Sequence, residues 1–444
     1  MRHLKNRTVR WAGAIILLGA GVACHDILAV ENPQAFTNDA ANSDILLPAV
    51  AAGAEGDVQL AIDNMAIMSG MLSDEFWHTG TWSDWLDVST GVIRMNPPFD
   101  GAFTDPENSM LRARGAAASA SLRFERVMGD TAHKSPLFIT SQMARAWADV
   151  ELAMAVCQIP TMPGGPPVSD TVLFKQAADS FTALLPLISA AHYPKAEDRQ
   201  ARLNQANAGL ARTNLMLGNY AAAMTSAQAV PAGFEYDAVY SANSDFQNNQ
   251  MANQGNSNYN RSFSIRDIWF TYIDTVAGKM RDPYTGELDP RLLFSHDNNN
   301  VRGYDKGSDG VTRFFSVDKY PAYSSPIPIS KSEEMNLIVA EVQWRQGNFS
   351  AAMSGMNMNR RAVGLSDLTL PTSGDVSTRI RDMLLQERFA TLFGENSRLQ
   401  DLYRFRLITQ RLGPNRATKL PLSRTEQLTN PNIGVNKETC PARS

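Results

Sequence analysis

The chain has 444 residues and a mass of 48.7 kDa, with 41 Lys and Arg against 45 Asp and Glu, a net charge of −4 and a mean hydropathy of −0.26. Hydrophobic residues make up 43% and charged residues 19%, enough apolar surface to bury a core, which excludes a disordered or collagen-like chain. A mildly acidic chain without a basic face is a poor nucleic-acid binder, and three cysteines make neither a disulfide framework nor a zinc site built on Cys pairs.

Residues 1–10 carry Arg2, Lys5, Arg7 and Arg10 with no acid, and 11–23 is an apolar run of 13 residues. A helix that spans a bilayer needs about 20 residues, so the run reads as the apolar part of a secretory signal. It ends in Gly21-Val22-Ala23-Cys24, which resembles the lipobox of bacterial lipoproteins. That resemblance implies removal of 1–23 and lipidation of Cys24 as the first mature residue. Several acyl chains on one residue anchor firmly where one would be marginal. Cleavage removes four cations and no anion, so the net charge moves from −4 to −8. Residues 24–42 are polar and read as a tether. No later apolar run reaches about 18 residues, so 43–444 reads as one soluble domain.

The stretch Asp74-Glu75-Phe76-Trp77-His78-Thr79-Gly80-Thr81-Trp82-Ser83-Asp84-Trp85 places three of the seven tryptophans within nine positions. Flat aromatic faces stack on the apolar faces of sugar rings, while neighbouring carboxylates and amides bond hydroxyls. Asp74, Trp77, Trp82 and Trp85 are therefore candidate ligand contacts. A buried aromatic cluster at a loop–helix junction explains the same residues, and both readings stay open here.

Helical spacing follows. Apolar residues at 143, 146, 147, 150, 153, 154 and 157 predict an amphipathic helix over 141–157, broken by Pro160, Pro163, Gly164, Gly165, Pro166 and Pro167. Ser169-Asp170 can cap the next helix, with Val172, Phe174, Ala177, Phe181, Leu184 and Leu185 on its apolar side. Three helix pairs come after it: 205–217 with 221–230, 333–346 with 350–363, and 380–393 with 398–407, the last hinged at Gly394. A short repeat marks two of these hinges. Gly218-Asn219-Tyr220-Ala221-Ala222-Ala223-Met224 recurs 129 residues later as Gly347-Asn348-Phe349-Ser350-Ala351-Ala352-Met353. Glycine suits a left-handed helix end, and the small Ala223 or Ala352 lets the second helix come close. This is the turn chemistry of tetratricopeptide helix pairs. Long irregular insertions separate the pairs, above all 231–332.

Within that insertion, ten of the eighteen residues of 243–260 are Asn or Gln. Each amide both donates and accepts, as sugar hydroxyls require, although a solvated loop is the simpler reading. Arg266, Asp267, Trp269, Phe270 and Tyr272 follow. Trp269 is a further ligand candidate, but alternating apolar residues there fit a buried strand or helix equally well. Asp305-Lys306-Gly307-Ser308-Asp309-Gly310 lacks the bidentate Glu of a calcium loop and reads as a turn.

On the helix over 380–393, Glu387 falls on the same side as Ile380, Met383 and Leu384. A carboxylate on an apolar stripe must be paired, because burying it alone is costly. Arg398, Asp401 and Arg404 on the next helix are the expected network. Glu387, Arg388, Leu392, Arg398, Asp401, Leu402 and Arg404 together resemble the C-terminal signature of the SusD/RagB family, with departures at Thr391, Phe393 and Glu395. Ser73-Asp74-Glu75, Asp289-Pro290-Arg291, Lys319-Tyr320, Pro326-Ile327-Pro328-Ile329 with Glu334, Leu337, Ala340-Glu341 and Gly347, and Leu420-Pro421-Leu422 before Asn430-Pro431-Asn432 resemble further family landmarks in the same order.

The resemblance implies a mostly α fold of tetratricopeptide-like helix pairs with long irregular insertions and a few short strands. It implies a lipid-anchored outer-membrane protein that binds oligosaccharide or another nutrient and delivers it to a SusC-like TonB-dependent channel. It implies no enzyme and no cofactor. The competing readings are a secreted glycoside hydrolase using a carboxylate pair from Asp74, Glu75 and Asp84, and a helical scaffold that binds only protein. No phosphate loop, G-x-S-x-G, H-E-x-x-H or C-x-x-C occurs, and the six His are scattered, so no metal site is expected. Cys157 and Cys440 can pair in an oxidising compartment.

Overall fold

The computed structural model describes residues 40–94, 101–162, 164–297 and 305–433. The signal, Cys24, the tether through residue 39 and Cys440 lie outside the described residues, while Cys157 is disulfide-bonded.

The first long helix, α1 (Leu47–Leu72), has Pro48 in its first turn, where a missing N–H breaks no bond. By length and composition it is apolar enough to cross a membrane. Here it is a central core helix, with Val58, Ile62, Met65, Ile67, Met68 and Leu72 buried. Its partners are α3 (Gly101–Met128) and α4 (Pro136–Ala155), and the short helix α2 (Ser83–Thr90) lies between it and α3 in the chain. Helical spacing does not pick out α1, because its C-terminal half is buried all round and no polar face interrupts it. Helix α4 begins five residues before the predicted 141–157 and stops at Ala155, because Val156 turns extended.

The Pro- and Gly-rich break forms a hairpin of β2 (Gln158–Pro160) and β3 (Pro167–Ser169). Ser169 caps α5 (Asp170–Leu184) as expected, its Oγ accepting from the Val172 amide at 3.4 Å. Helices α6 (Ala196–Met216) and α7 (Tyr220–Gln228) follow. The strand β4 (Glu235–Ala238) opens the long insertion, and β10 (Ile327–Lys331) closes it by pairing antiparallel with β4. Half of the ten described strands lie between them, and most are two to five residues long. β10 runs directly into α9 (Ser332–Arg345), which is followed by α10 (Phe349–Ala362), α11 (Val376–Thr391) and α12 (Arg398–Arg404).

Both repeat hinges behave alike. Gly218 and Gly347 each have φ +78°, the left-handed geometry that terminates a helix without cost only at glycine. Ala223 and Ala352 are buried. Although the copies are far apart in sequence, α7 of the first packs on α9 of the second. A second apolar cluster of Leu337, Ala340, Ala352, Met356, Ile380 and Leu384 joins α9, α10 and α11.

Of the expected C-terminal ion network only the Asp401–Arg404 pair forms, and Glu387 and Arg398 take other partners. Asp401 accepts from Arg388 Nε at 2.7 Å and Arg404 Nη2 at 2.7 Å, and Arg404 also binds Glu341. Glu387 does not use Arg398, Asp401 or Arg404. It is held by Arg291 at 2.9 Å and Arg360 at 2.5 Å, from β8 (Leu288–Ser295) and α10. The Glu387 side of α11 faces α10 and β8, and α12 packs on another face, so spacing along the motif points at the wrong cations. Arg398 instead binds Asp74 through two bonds of 2.5 and 2.7 Å. Lys319 and Lys331 both reach Glu395, at 2.6 and 2.5 Å. Several of the family-like landmarks, Asp74, Arg291, Lys319, Glu341 and the 387–404 motif, thus meet in a buried, charge-paired joint between helices.

Candidate functional site

The site is built outward from the C-terminal end of α1. The last carbonyls of a helix carry partial negative charge and lack partners within it. Arg416 Nη2 donates to Leu72 O at 2.7 Å and Arg266 Nη1 to Ser73 O at 3.0 Å. Asp74 receives Arg398, with Arg411 at 3.2 Å. These arginines hold its carboxyl below the usual range against the pull of burial. Glu75 is also buried and accepts from the Gly394 amide at 2.8 Å, and burial pushes its pKa up to about 8.

Two candidate ligand contacts are corrected here. Asp74 is 0% exposed, and its carboxylate is held by Arg398 and Arg411, so it anchors the scaffold and meets no solute. Trp269 is 6% exposed, lies in a 3-10 turn over Asp267–Tyr272, donates to Asp74 O at 2.6 Å and stacks on Phe389 at 4.5 Å and 19°. It is core, the second of the readings open for that stretch.

The chain then emerges as β1 (Phe76–His78), paired antiparallel with β5 (Phe263–Ile265) in the register Phe76↔Ile265, Trp77↔Ser264, His78↔Phe263. Alternation along the strand buries Phe76 against Phe263 and Phe393. Trp77, on the other side, is half-buried with the Arg266 guanidinium 4.7 Å from its ring centre. The strap 79–82 leads to α2, where Trp82 occupies the N-cap position without a capping side chain. Trp82 is 45% exposed, the most open of the three strap tryptophans. It meets the half-buried Trp85 edge to face at 4.9 Å and 63°. Trp77, Trp82 and Trp85 are thus brought to one strap, with Trp82 and Trp85 forming an aromatic corner.

Beneath that corner lies His78, which spacing alone does not flag. Its backbone N–H donates to Ser89 Oγ at 3.0 Å. Its ring lies 6.5 Å from Trp82 at 14°, and 5.8 Å from Trp85. Burial pushes its pKa down to about 4, so the imidazole is neutral near pH 7.

The insertion supplies the other wall. Thr79 N–H donates to Ser262 O at 2.8 Å and Thr79 Oγ1 to Arg261 O at 2.8 Å. The Asn-rich stretch therefore ends against the tryptophan strap. It is more than a solvated loop. Asn249 caps a helix, α8 (Gln250–Gly255), and donates to Ser325 O at 2.6 Å, and Tyr259 stacks on Tyr323 at 4.2 Å and 23°. The 305–310 segment is a turn, as expected, closed by Asp309 accepting from the Val311 and Thr312 amides at 2.9 Å each. It sits on the strap: Asp309 N–H donates to Thr79 O at 3.1 Å, and a Cβ at Gly307 would come 2.1 Å from that same oxygen. Only glycine fits there.

Two adjoining clefts of about 880 and 530 Å³ run beside α3, sharing Ser109, Arg112 and Phe246. Neither is lined by a strap tryptophan. They offer one exposed ring, Phe246, where the strap offers an aromatic corner. Among the described residues no group of three or more His, Cys, Asp and Glu is placed to hold a metal.

No protein-family profile and no curated protein sequence matches the chain. Solved structures do. A SusD superfamily protein from Bacteroides thetaiotaomicron VPI-5482 superimposes with a TM-score of 0.66 at 14% identity, over 89% of this chain and 100% of the other. Surface glycan-binding protein A from Bacteroides uniformis gives 0.62 at 14% identity, over 88% and 99%. A SusD-like carbohydrate binding protein from Bacteroides vulgatus ATCC 8482 gives 0.57 at 15% identity, over 80% and 82%. The chain has the SusD-like fold that its C-terminal motif implied: mostly α, with few short strands.

Proposed function

We propose that the protein binds a glycan on the tryptophan strap 77–85, at the surface of a bacterial outer membrane, and passes it to a SusC-like TonB-dependent channel. The observation that carries this reading is the Trp82–Trp85 corner, with Trp82 exposed, held on a charge-paired scaffold and walled by Arg261, Ser262 and Asp309. Aromatic faces of this kind take the apolar faces of sugar rings and need no net charge. The solved relatives whose names include glycan or carbohydrate binding support the ligand class. The lipobox-like Gly21-Val22-Ala23-Cys24 supports the anchor, and the fold supports the channel partner.

A hydrolase reading has less behind it. Glycoside hydrolysis needs two carboxyl groups facing one bond across open space. At the strap, Asp74 is bound by Arg398 and Arg411, Glu75 is buried against Gly394, and Asp84 accepts from the Trp85 amide at 3.0 Å. Binding is tested by titrating neutral oligosaccharides into wild type and a Trp82→Ala/Trp85→Ala double variant. Retained affinity in the double variant contradicts the site. Anchoring is tested by fractionating cells that express Cys24→Ala. Release from the outer membrane is expected, and continued sedimentation with it contradicts the anchor. Recovery of a TonB-dependent channel with the tagged wild type from solubilised membranes tests the partner, and its absence contradicts delivery.

A further inference from the structure

His78 is the one strap residue whose environment is unexplained by packing. It is 3% exposed, yet among the described residues neither Nδ1 nor Nε2 closes a hydrogen bond, although the backbone of Ser262 and of Gly80 faces the ring. Buried polar atoms are almost always satisfied, and a bare one opposes folding. Nothing about the strand demands histidine, since the backbone bonds of His78 and Thr79 to Ser89 and Ser262 would form with any residue at 78. The cover over the ring is thin. On one edge Gly80 is small where a side chain would collide: a Cβ there would come 2.7 Å from Cε1 and 3.3 Å from Nε2 of His78, with Ser308 Oγ at 3.2 Å. On another side lies Trp82, which is exposed and makes no capping bond. The charged group facing the imidazole is Asp309, on the turn that closes the strap.

We propose that His78 is the specificity-determining polar group of the aromatic site: a neutral sugar stacked on the tryptophan corner moves Trp82 off the imidazole and gives a hydroxyl to its ring nitrogens at the edge beside Gly80. A neutral imidazole offers one donor and one acceptor, the same pair that a sugar hydroxyl offers in return. Stacking supplies affinity for any sugar with a flat apolar face. The imidazole selects those that place a hydroxyl beneath that face, because a sugar lacking one leaves the ring nitrogens bare. This inference rests on the strap being the glycan site.

The test uses the full-length mature protein and five neutral hexaoses, namely malto-, cello-, xylo-, manno- and laminarihexaose. Calorimetry is run on wild type, His78→Phe, and the Trp82→Ala/Trp85→Ala double variant. Phenylalanine keeps the ring and removes both nitrogens, so thermal stability is expected to hold or rise, while affinity for the bound hexaose falls at least tenfold. Equal affinity in His78→Phe, with loss in the tryptophan double variant, overturns the role of His78 and leaves the site standing. Binding of none of the five by wild type, or binding unaffected in the tryptophan double variant, overturns both. A second readout does not depend on the folding of His78→Phe. The ring resonances of His78 in wild type should shift on saturation with the bound hexaose, and unchanged resonances overturn the proposal.

Discussion

The joint around 387–404 and the strap around 76–85 touch each other and obey opposite rules. In the joint, charge is buried and matched. Glu387 has Arg291 and Arg360, Asp401 has Arg388 and Arg404, and Glu395 has Lys319 and Lys331. In the strap, the side chains are large, aromatic and largely uncharged, and among the described residues a buried imidazole closes no hydrogen bond. Asp74 is where the two meet: its backbone leads into the strap while its carboxylate belongs to the joint. The contrast separates what holds this fold from what the fold presents. Paired buried charge fixes one arrangement of helices, because a wrong arrangement strands an ion in low dielectric. An aromatic surface on top can then change without disturbing that arrangement.

The largest expected effect sharpens this contrast. Arg398→Ala leaves the buried Asp74 with only Arg411, and losing one partner of a buried pair costs about 3–5 kcal/mol. Equilibrium unfolding in denaturant measures it, and a change below about 1 kcal/mol would mean that the joint does not carry the fold. Next comes Gly307→Ala, whose Cβ would overlap Thr79 O at 2.1 Å and push the turn off the strap. Overpacking of this kind costs about 1–3 kcal/mol, and glycan affinity should fall with it. Unchanged stability and affinity would show that the turn is no wall of the site. Trp82→Ala should do the reverse of Arg398→Ala. Stability should move by no more than about 0.5 kcal/mol, while affinity drops about tenfold, or about 1.4 kcal/mol. A large stability loss instead would make Trp82 a core residue.

A further expected effect is a pH dependence. Burial raises Glu75 and Glu107 to about 8 and Asp63 to about 7, against ordinary values of 4.5 and 3.8. Between pH 6.5 and 7.5 the folded state therefore holds protons that the unfolded state has released, so stability falls as pH rises. His78, lowered to about 4, acts in the opposite direction below 6.5, and Lys319, lowered to about 8, does so near and above 8. Thermal midpoints across that window should decline, and Glu75→Gln should flatten the decline. A rising midpoint, or a wild-type slope in Glu75→Gln, contradicts the burial of these carboxyls as neutral acids.

Legibility in the sequence follows the same division. The helix pairs, the two glycine hinges and the Ser169 cap were legible because they depend on local spacing and backbone geometry. The motif around 387–404 was legible as a family-like pattern, but its pairing was not, because Arg291 and Arg360 come from distant elements. Helix α1 escaped the spacing rule because it is surrounded by core. At the strap, the tryptophan cluster was legible by composition. What composition cannot tell is direction: Asp74 and Trp269 turn inward, and Trp82 outward. Gly307 and Asp309 contribute through a turn more than 200 residues away, and no local signal joins them to Thr79. Gly80 beside His78 was the available hint, a glycine where the ring edge needs room.

Tryptophan indole N–H resonances test the central claim most directly. With a bound neutral hexaose, the signals of Trp82 and Trp85 should move most and that of Trp77 less, while the buried Trp147 and Trp269 stay fixed. Fixed signals at Trp82 and Trp85 on saturation, with perturbations at amides along 108–115 and 160–162, would place the ligand in the clefts beside α3 and contradict the strap as the glycan site.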